Sequence, residues 1–333
     1  MDQLTYISTV NKIMSGEIRT NLSPLLRKLW PGYAYHFTDF NNAISILNSG
    51  MMYSRQKVIE RNLMSHDNAS SDVIDRTAEN KKNFVRFYHR PKTPTQYHNE
   101  GIRSNTTLSY LGSHCPVPVF LRFDLESILM REDSCFTERT IARSENINYY
   151  YTPKEYAELP FSQIFHDGPY PQDMTEQIKP YRHAEILVSD KMPVDPHLKQ
   201  IFVRSPNERT MLLRYLDAAA IKKYKDKIII DNRKICFYGF WTYFHKVHME
   251  ETDVRLEINC GKETSEFDFR IVVKDLSSGN VYSFQDSTWR CVPAFKVNFQ
   301  RPLQSYQVQV YLNDILVAED VRFAPSSPDD LPF

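Results

Sequence analysis

Residues 182–188 read Arg-His-Ala-Glu-Ile-Leu-Val, a short apolar run with one carboxylate, Glu185, near its start. A run of this length and composition predicts a buried β-strand. A carboxylate inside such a strand is costly to bury unless it is paired or functional. Arg182 is a candidate partner that would make Glu185 purely structural. The alternative is that Glu185 belongs to a catalytic site.

Three further runs are rich in Val, Ile, Phe and Tyr: FVRFYHR at 84–90, VPVFLRFD at 117–124 and KQIFVR at 199–204. Polar or proline-containing segments bound each run, which predicts the strands of a first sheet system. Upstream, YAYHFTDF also reads as a strand, and Asp39 can cap the helix FNNAISILNSG that follows. Gly50 is placed to end that helix.

Four other segments complete the first part of the chain. Apolar residues at helical spacing predict helices up to about Trp30. Residues 54–80 are polar and predict a long loop with short helices. Residues 144–183 carry many Tyr and Pro in little periodic order, and loops of that length are often functional. Residues 207–227 predict a helix.

From about residue 227 the pattern changes to alternating runs separated by Ser-Gly-Asn and Asn-Asp turn signals. This spacing is typical of an antiparallel β-sandwich, with Trp241 and Trp289 in its core. We therefore predict an α+β protein with a first domain at 1–226 and a non-catalytic accessory β-sandwich at 227–333.

The chain has 333 residues with 41 basic and 41 acidic side chains, so its formal net charge is zero. No overall field draws it to phosphate, and any nucleic-acid site must be a local patch. Its five cysteines form no C-x-x-C pair, which argues against a disulfide framework and a zinc site. His245 and His248 would lie on opposite faces of a strand, so we expect no metal.

The sequence also bears on location. No stretch approaches the roughly 18 apolar residues of a membrane span. The start lacks the basic-then-apolar layout of a signal peptide. We predict a cytoplasmic protein with no membrane partner.

Neither a G-x-G-x-x-G nor a G-x-x-x-x-G-K-[ST] loop occurs, which excludes the two commonest nucleotide-binding signatures. Four ordered segments remain: Tyr35-His36-Phe37-Thr38 with Asn42, then Arg76, then FVRFYHRPKTPTQY from residue 84, and finally 182–188. In this order they resemble the DarT-type nucleic-acid ADP-ribosyltransferase toxins. The resemblance implies a transferase core of two small packed β-sheets with flanking helices.

The resemblance also implies that NAD⁺ is the substrate, that no metal is needed, and what each matching residue does. Glu185 would be the catalytic carboxylate and Arg76 the arginine of the phosphate or transition state. The implied cofactor contacts are His36 and Thr38 at the nicotinamide end, Asn42, Tyr97 at a ring or ribose, and Thr140. Two positions depart from the family: Thr140 stands where it usually has Asn or His, and Thr95 where it commonly has Met.

An acceptor base must reach the same cleft, which favours a flipped or single-stranded nucleotide. Aromatic faces and basic side chains near the motifs could hold it. The alternatives are a loop packed by its own aromatics and charges that are simply solvated. The predicted nucleic-acid contacts are Tyr149, Tyr150, Phe165, Arg86, Arg90 and Lys92.

The resemblance implies a bacterial toxin or phage-defence enzyme that modifies single-stranded DNA at thymidine, with RNA as a possible acceptor. It further implies an antitoxin, often a macrodomain hydrolase. Two other readings stay open: transfer to a protein side chain, and a non-catalytic interaction protein with a degenerate transferase domain.

Overall fold

The computed structural model describes residues 4–61, 79–105, 107–108, 113–142, 146–262 and 266–324. The helices of these ranges are α1 Tyr6–Ser15, α2 Pro24–Leu29, α3 Phe40–Ser49, α4 Arg55–Glu60, α5 Pro94–Asn99, α6 Leu125–Leu129, α7 Pro153–Ala157, α8 Phe161–Ile164, α9 Thr175–Ile178, α10 Pro206–Tyr215 and α11 Ala218–Tyr224. None of them is both long and apolar enough to cross a membrane.

The strands come in two groups along the chain. The first group is β1 Tyr33–Asp39, β2 Met51–Tyr53, β3 Phe84–Tyr88, β4 Pro118–Asp124, β5 Ser134–Phe136, β6 Glu185–Ser189, β7 Lys191–Pro193, β8 Leu198–Val203 and β9 Ile228–Ile230. The second is β10 Tyr243–Met249, β11 Asp253–Asn259, β12 Phe267–Asp275, β13 Val281–Trp289, β14 Ala294–Asn298, β15 Tyr306–Leu312 and β16 Ile315–Arg322.

The first group forms a seven-stranded sheet in the order β5-β6-β3-β1-β4-β8-β9, with β2 and β7 paired separately. The pairing between β3 and β1 is recorded at one position, Tyr35 with Tyr88. That junction divides the sheet into β5-β6-β3 and β1-β4-β8-β9, two small sheets joined along a short seam. The predicted α+β class is confirmed.

Local signals set the first helices and strands as predicted. Asp39 accepts a hydrogen bond from Asn41 N at 2.9 Å and caps α3. Gly50 follows with φ of 66°, a left-handed conformation that glycine adopts without strain. The predicted helix over 207–227 is instead two helices, α10 and α11. Leu216 is extended, and Asp217 caps a new helix by accepting from Ala220 N at 2.7 Å.

The second group forms two antiparallel sheets, β10-β11-β14 and β13-β12-β15-β16. Their facing side chains alternate as a sandwich requires, and Phe269 meets Phe295 with ring centroids 5.0 Å apart. Trp289 stacks on Phe269 inside this core, as predicted. The prediction for Trp241 is wrong, because its ring lies half-buried under the Arg103 guanidinium, where the sandwich meets the first sheet.

Helix α10 joins the two groups of strands. Asn207 donates to Val317 O at 3.1 Å, and Ser205 donates to Phe244 O at 2.8 Å. Strand β9, just past residue 226, pairs in parallel with β8 of the first sheet. We therefore propose a division into two domains that falls between β9 and β10.

Candidate active site

Glu185 is the first residue of β6, and its Cα pairs with that of Tyr88 in β3. Its side chain is fully buried. One carboxylate oxygen accepts the Ile141 N–H at 2.8 Å, and the other accepts the Thr140 hydroxyl at 3.2 Å. Arg86 Nη1 lies 3.8 Å from the second oxygen. Among the described residues, Arg86 is therefore the cation near this carboxylate, and its hydrogen bonds come from uncharged groups.

Burial raises the pKa of Glu185, and Arg86 and the hydrogen bonds from Ile141 and Thr140 act in the opposite direction. Arg182 is not the partner of this carboxylate. Its guanidinium instead donates to Gly168 O and His166 Nδ1.

His36 is half-buried on β1, and its Nδ1 lies 3.0 Å from Arg86 O. Because a carbonyl can only accept, Nδ1 carries the proton and Nε2 keeps its lone pair. Burial lowers the pKa of His36, so the ring is neutral near pH 7. Arg86 thus contacts His36 through its backbone and Glu185 through its side chain, which brings these two distant residues to one place.

Three other predicted cofactor residues lie on β1, α3 and α5. Thr38 is buried two residues beyond His36 on β1, and Asn42 lies in the first turn of α3. Tyr97 is on α5, with 38% of its surface exposed. Thr95 Oγ1, on the same helix, lies 3.0 Å from His183 Nε2. That contact ties α5 to the turn that precedes Glu185. Arg76 lies outside the described residues.

The predicted nucleic-acid contacts are distributed unevenly. Tyr149 stacks on Phe84 at 6.2 Å and is half-buried, as is Tyr150. Phe165 is 1% exposed within the core, and Arg90, also 1% exposed, lies 4.5 Å from the Trp30 ring centroid. Phe165 stacks on Phe161, and Arg90 is paired with Asp167, so we propose that both residues serve packing.

Arg86 and Lys92 differ from that pair. Arg86 is turned to Glu185, with 27% of its side chain exposed. Lys92 is half-buried with Nζ 5.9 Å from the Tyr238 ring centroid.

Two groups at this site were missed from sequence. Burial raises the pKa of Tyr88, the charge of Glu185 raises it further and Arg86 lowers it. The Tyr88 hydroxyl therefore interacts electrostatically with both Glu185 and Arg86. The Ile141 N–H donates to the Glu185 carboxylate at 2.8 Å, closer than the Thr140 hydroxyl at 3.2 Å. Arg86 and Tyr88 are two residues apart on β3 and therefore lie on the same face of the strand. The period of two in a strand could have predicted this from the sequence. A backbone N–H from another segment leaves no sequence signal. Among the described residues, no cluster of His, Cys, Asp and Glu could hold a metal ion.

Solved structures with a similar chain path include three of a DarT from Thermus sp. 2.9. Its complex with ADP-ribosylated ssDNA is 18% identical, with a TM-score of 0.47, and the match covers 62% of this chain and 97% of that one. Its complex with NAD⁺ is 17% identical, with a TM-score of 0.47 and coverage of 62% and 98%. Thermosipho africanus DarTG with ADP-ribose is 17% identical, with a TM-score of 0.45 and coverage of 65% and 53%. Among curated proteins, no relative matches the sequence.

The sequence itself matches a family model described as ssDNA thymidine ADP-ribosyltransferase, DarT, over residues 35–234. The match spans more than half of the chain and contains His36, Arg86, Thr140 and Glu185. It ends after β9, before the second group of strands begins. The chain therefore belongs to the DarT family of ADP-ribosyltransferases.

Proposed function

We propose that this protein transfers ADP-ribose from NAD⁺ to thymidine in single-stranded DNA, with Glu185 as the catalytic carboxylate. The observation that carries the proposal is the shared contact of Arg86, whose backbone orients His36 and whose guanidinium faces the buried Glu185. A buried carboxylate with a perturbed pKa beside a neutral histidine is the kind of pair that active sites use.

The residues fit NAD⁺ as a substrate. Among the described residues no group hydrogen-bonds His36 Nε2, so this lone pair can accept from a carboxamide or a ribose hydroxyl. We assign the nicotinamide end to His36, Thr38 and Asn42, and a ring or ribose contact to Tyr97. Arg76 is proposed to offset negative charge of the pyrophosphate or the transition state, as the family resemblance implies.

Cleavage of the nicotinamide–ribose bond develops positive charge on the ribose carbon. A fixed anion stabilises such a centre, and Glu185 is held by Ile141 and Thr140 where water is excluded. As a carboxylate it can hold the ribose 2′-hydroxyl or accept the proton that the thymine nitrogen loses on attack. Transfer then forms the new base–ribose bond and releases nicotinamide.

The family description, ssDNA thymidine ADP-ribosyltransferase, supports the proposed acceptor. We propose that the protein acts in the cytoplasm as a toxin or phage-defence enzyme and has an antitoxin partner, of the macrodomain type or another type. Both roles rest on the family resemblance.

The test is mass spectrometry of nucleosides from single-stranded DNA, RNA and a protein pool, each incubated with the protein and NAD⁺. We expect thymidine from DNA to gain one ADP-ribose. Modification of RNA or protein with none on DNA would replace the proposed acceptor. If NAD⁺ stays intact in all three pools, the protein is not an NAD⁺-dependent transferase.

A further inference from the structure

Three aromatic rings from two parts of the chain meet beside the proposed cofactor helix α5. Tyr238 and Phe240 stack with centroids 5.4 Å apart, and Tyr97 stands edge-on to both at 5.3 and 6.0 Å. Tyr97 is exposed, and Tyr238 and Phe240 are half-buried. We call these three residues the aromatic platform. Two of its members lie beyond residue 234, where the family match ends.

The backbone of the platform is fixed from both sides. Glu100, buried on the α5 side, accepts Tyr238 N at 2.9 Å and Gly239 N at 2.7 Å. On the sandwich side, Asn259 donates to Trp241 O at 2.8 Å. A Cβ on Gly261 would lie 2.3 Å from Phe240 O, so only glycine permits this close approach. The rings are held in place before any ligand arrives.

Two lysines border the platform, and the nearby carboxylates of Glu100 and Asp231 accept hydrogen bonds from backbone amides. Lys262 Nζ lies 4.3 Å from the Phe240 centroid, and Lys92 Nζ lies near Tyr238. Within the described ranges, neither lysine has a carboxylate at ion-pair distance. Glu100 accepts backbone amides, and Asp231 accepts the amides of 235–237. Glu100 and Asp167 act on Tyr238, and Asp167 and Asp231 act on Lys92, so charges of both signs surround the platform and the two lysines contribute positive charge at its edge.

We infer that Tyr238 and Phe240 of the aromatic platform, with Lys92 and Lys262, bind the single-stranded DNA substrate beside the reacting nucleotide, while Tyr97 keeps its proposed cofactor contact. Aromatic rings stack bases of any sequence, and Lys262 and Lys92, which lie over Phe240 and Tyr238, match the phosphate charge. Thr95, which contacts His183, links the platform to the β6 strand that carries Glu185. This inference rests on the proposed function and gives the region beyond residue 234 a role in substrate binding.

The test compares two thymidine-bearing oligonucleotides, of about 4 and about 16 nucleotides, because extended stacking sites need the longer one. Phe240→Ala and Lys262→Glu should raise the KM for the longer DNA by about 5- to 100-fold. The increase in KM for the longer DNA should be at least fivefold greater than the increase for the shorter DNA. Lys262→Glu should also reduce the slope of log affinity against log salt by about 1.

Phe284→Ala and Lys274→Glu are matched controls, since both residues are exposed on the four-stranded sheet. They should leave both KM values unchanged. If KM rises equally for the short and the long DNA, or stays within twofold of the parent value, the platform does not bind DNA.

Failure of the proposed function is a separate outcome. If the parent modifies no DNA, binding of a fluorescent oligonucleotide without NAD⁺ decides the inference. Binding that both platform variants weaken supports it, and absence of binding by the parent refutes it.

Discussion

Glu208 and Glu185 are both buried near the first sheet, but their partners differ. Glu208, 2% exposed in the first turn of α10, accepts Arg204 Nε at 2.8 Å and Arg204 N at 2.7 Å. Arg204 also donates to Pro116 O at 2.8 Å. Glu185 is equally buried, but its arginine stays 3.8 Å away and its hydrogen bonds come from neutral donors.

Burial raises the pKa of both carboxyls, and a single arginine opposes the rise in each case. The close contact at Glu208 forms a pair that holds a helix start to a strand end. At Glu185 the charge is only partly compensated, which leaves it able to interact with a substrate. Burial alone therefore does not distinguish a structural carboxylate from a catalytic one, whereas the geometry of its partners does.

The largest effect should come from Glu185→Gln. The amide oxygen can still accept Ile141 N–H, so the fold should persist while the negative charge is lost. We expect the transfer rate to fall by about 10²–10⁴, the usual loss when an acid or base is removed. Initial rates at saturating NAD⁺ and DNA measure this, with thermal unfolding as the control. A rate within tenfold of the parent would remove Glu185 from the chemistry.

Glu208→Gln should do the reverse. It removes the hydrogen-bonded counter-charge of the buried Arg204 guanidinium and leaves only the weaker influence of Glu100, so the free energy of unfolding should drop by about 3–5 kcal/mol. The folded protein should keep its turnover. Urea unfolding and active-fraction-corrected rates measure the two quantities. Full stability with lost activity would reverse the roles assigned to the two glutamates.

Arg86→Gln tests the effect of the nearby cation on Glu185 through the pH dependence of the rate. Arg86 lowers the pKa of Glu185, so its removal should raise that pKa further. Because the reaction needs the carboxylate, activity is lost as pH falls through this pKa, and the acid limb should move to higher pH. Rate–pH profiles measure the shift, and Arg86→Lys should restore part of it. An unmoved acid limb would mean that Glu185 is not the group that titrates.

The smallest effect should come from Thr140→Val, which deletes one of the hydrogen bonds to the Glu185 carboxylate and leaves the bond from Ile141 N–H. A hydrogen bond to a charged group contributes about 1.5–3 kcal/mol, which corresponds to about a 10- to 150-fold lower rate. The rate at saturating substrate and the KM for NAD⁺ separate two roles of Thr140. A change in KM alone would place it at the cofactor rather than at the carboxylate.

The sequence by itself determined the elements whose signals are local. Short runs rich in Val, Ile, Phe and Tyr predicted β3, β4, β6 and β8, and Asp39 and Gly50 marked the two ends of α3. The apolar run around Glu185 marked that carboxylate as exceptional. Local signals suffice in these cases because strand period, capping and left-handed glycine depend on neighbouring residues alone.

Only the tertiary structure decided which groups meet. It placed Arg86, and not Arg182, within ion-pair distance of Glu185, and it buried Phe165 and Arg90, which the sequence offered to nucleic acid. It also brought residues beyond 234 against α5. These outcomes depend on strand register and on the packing of distant segments, and a one-residue change of register would turn Arg86 to the other face of the sheet.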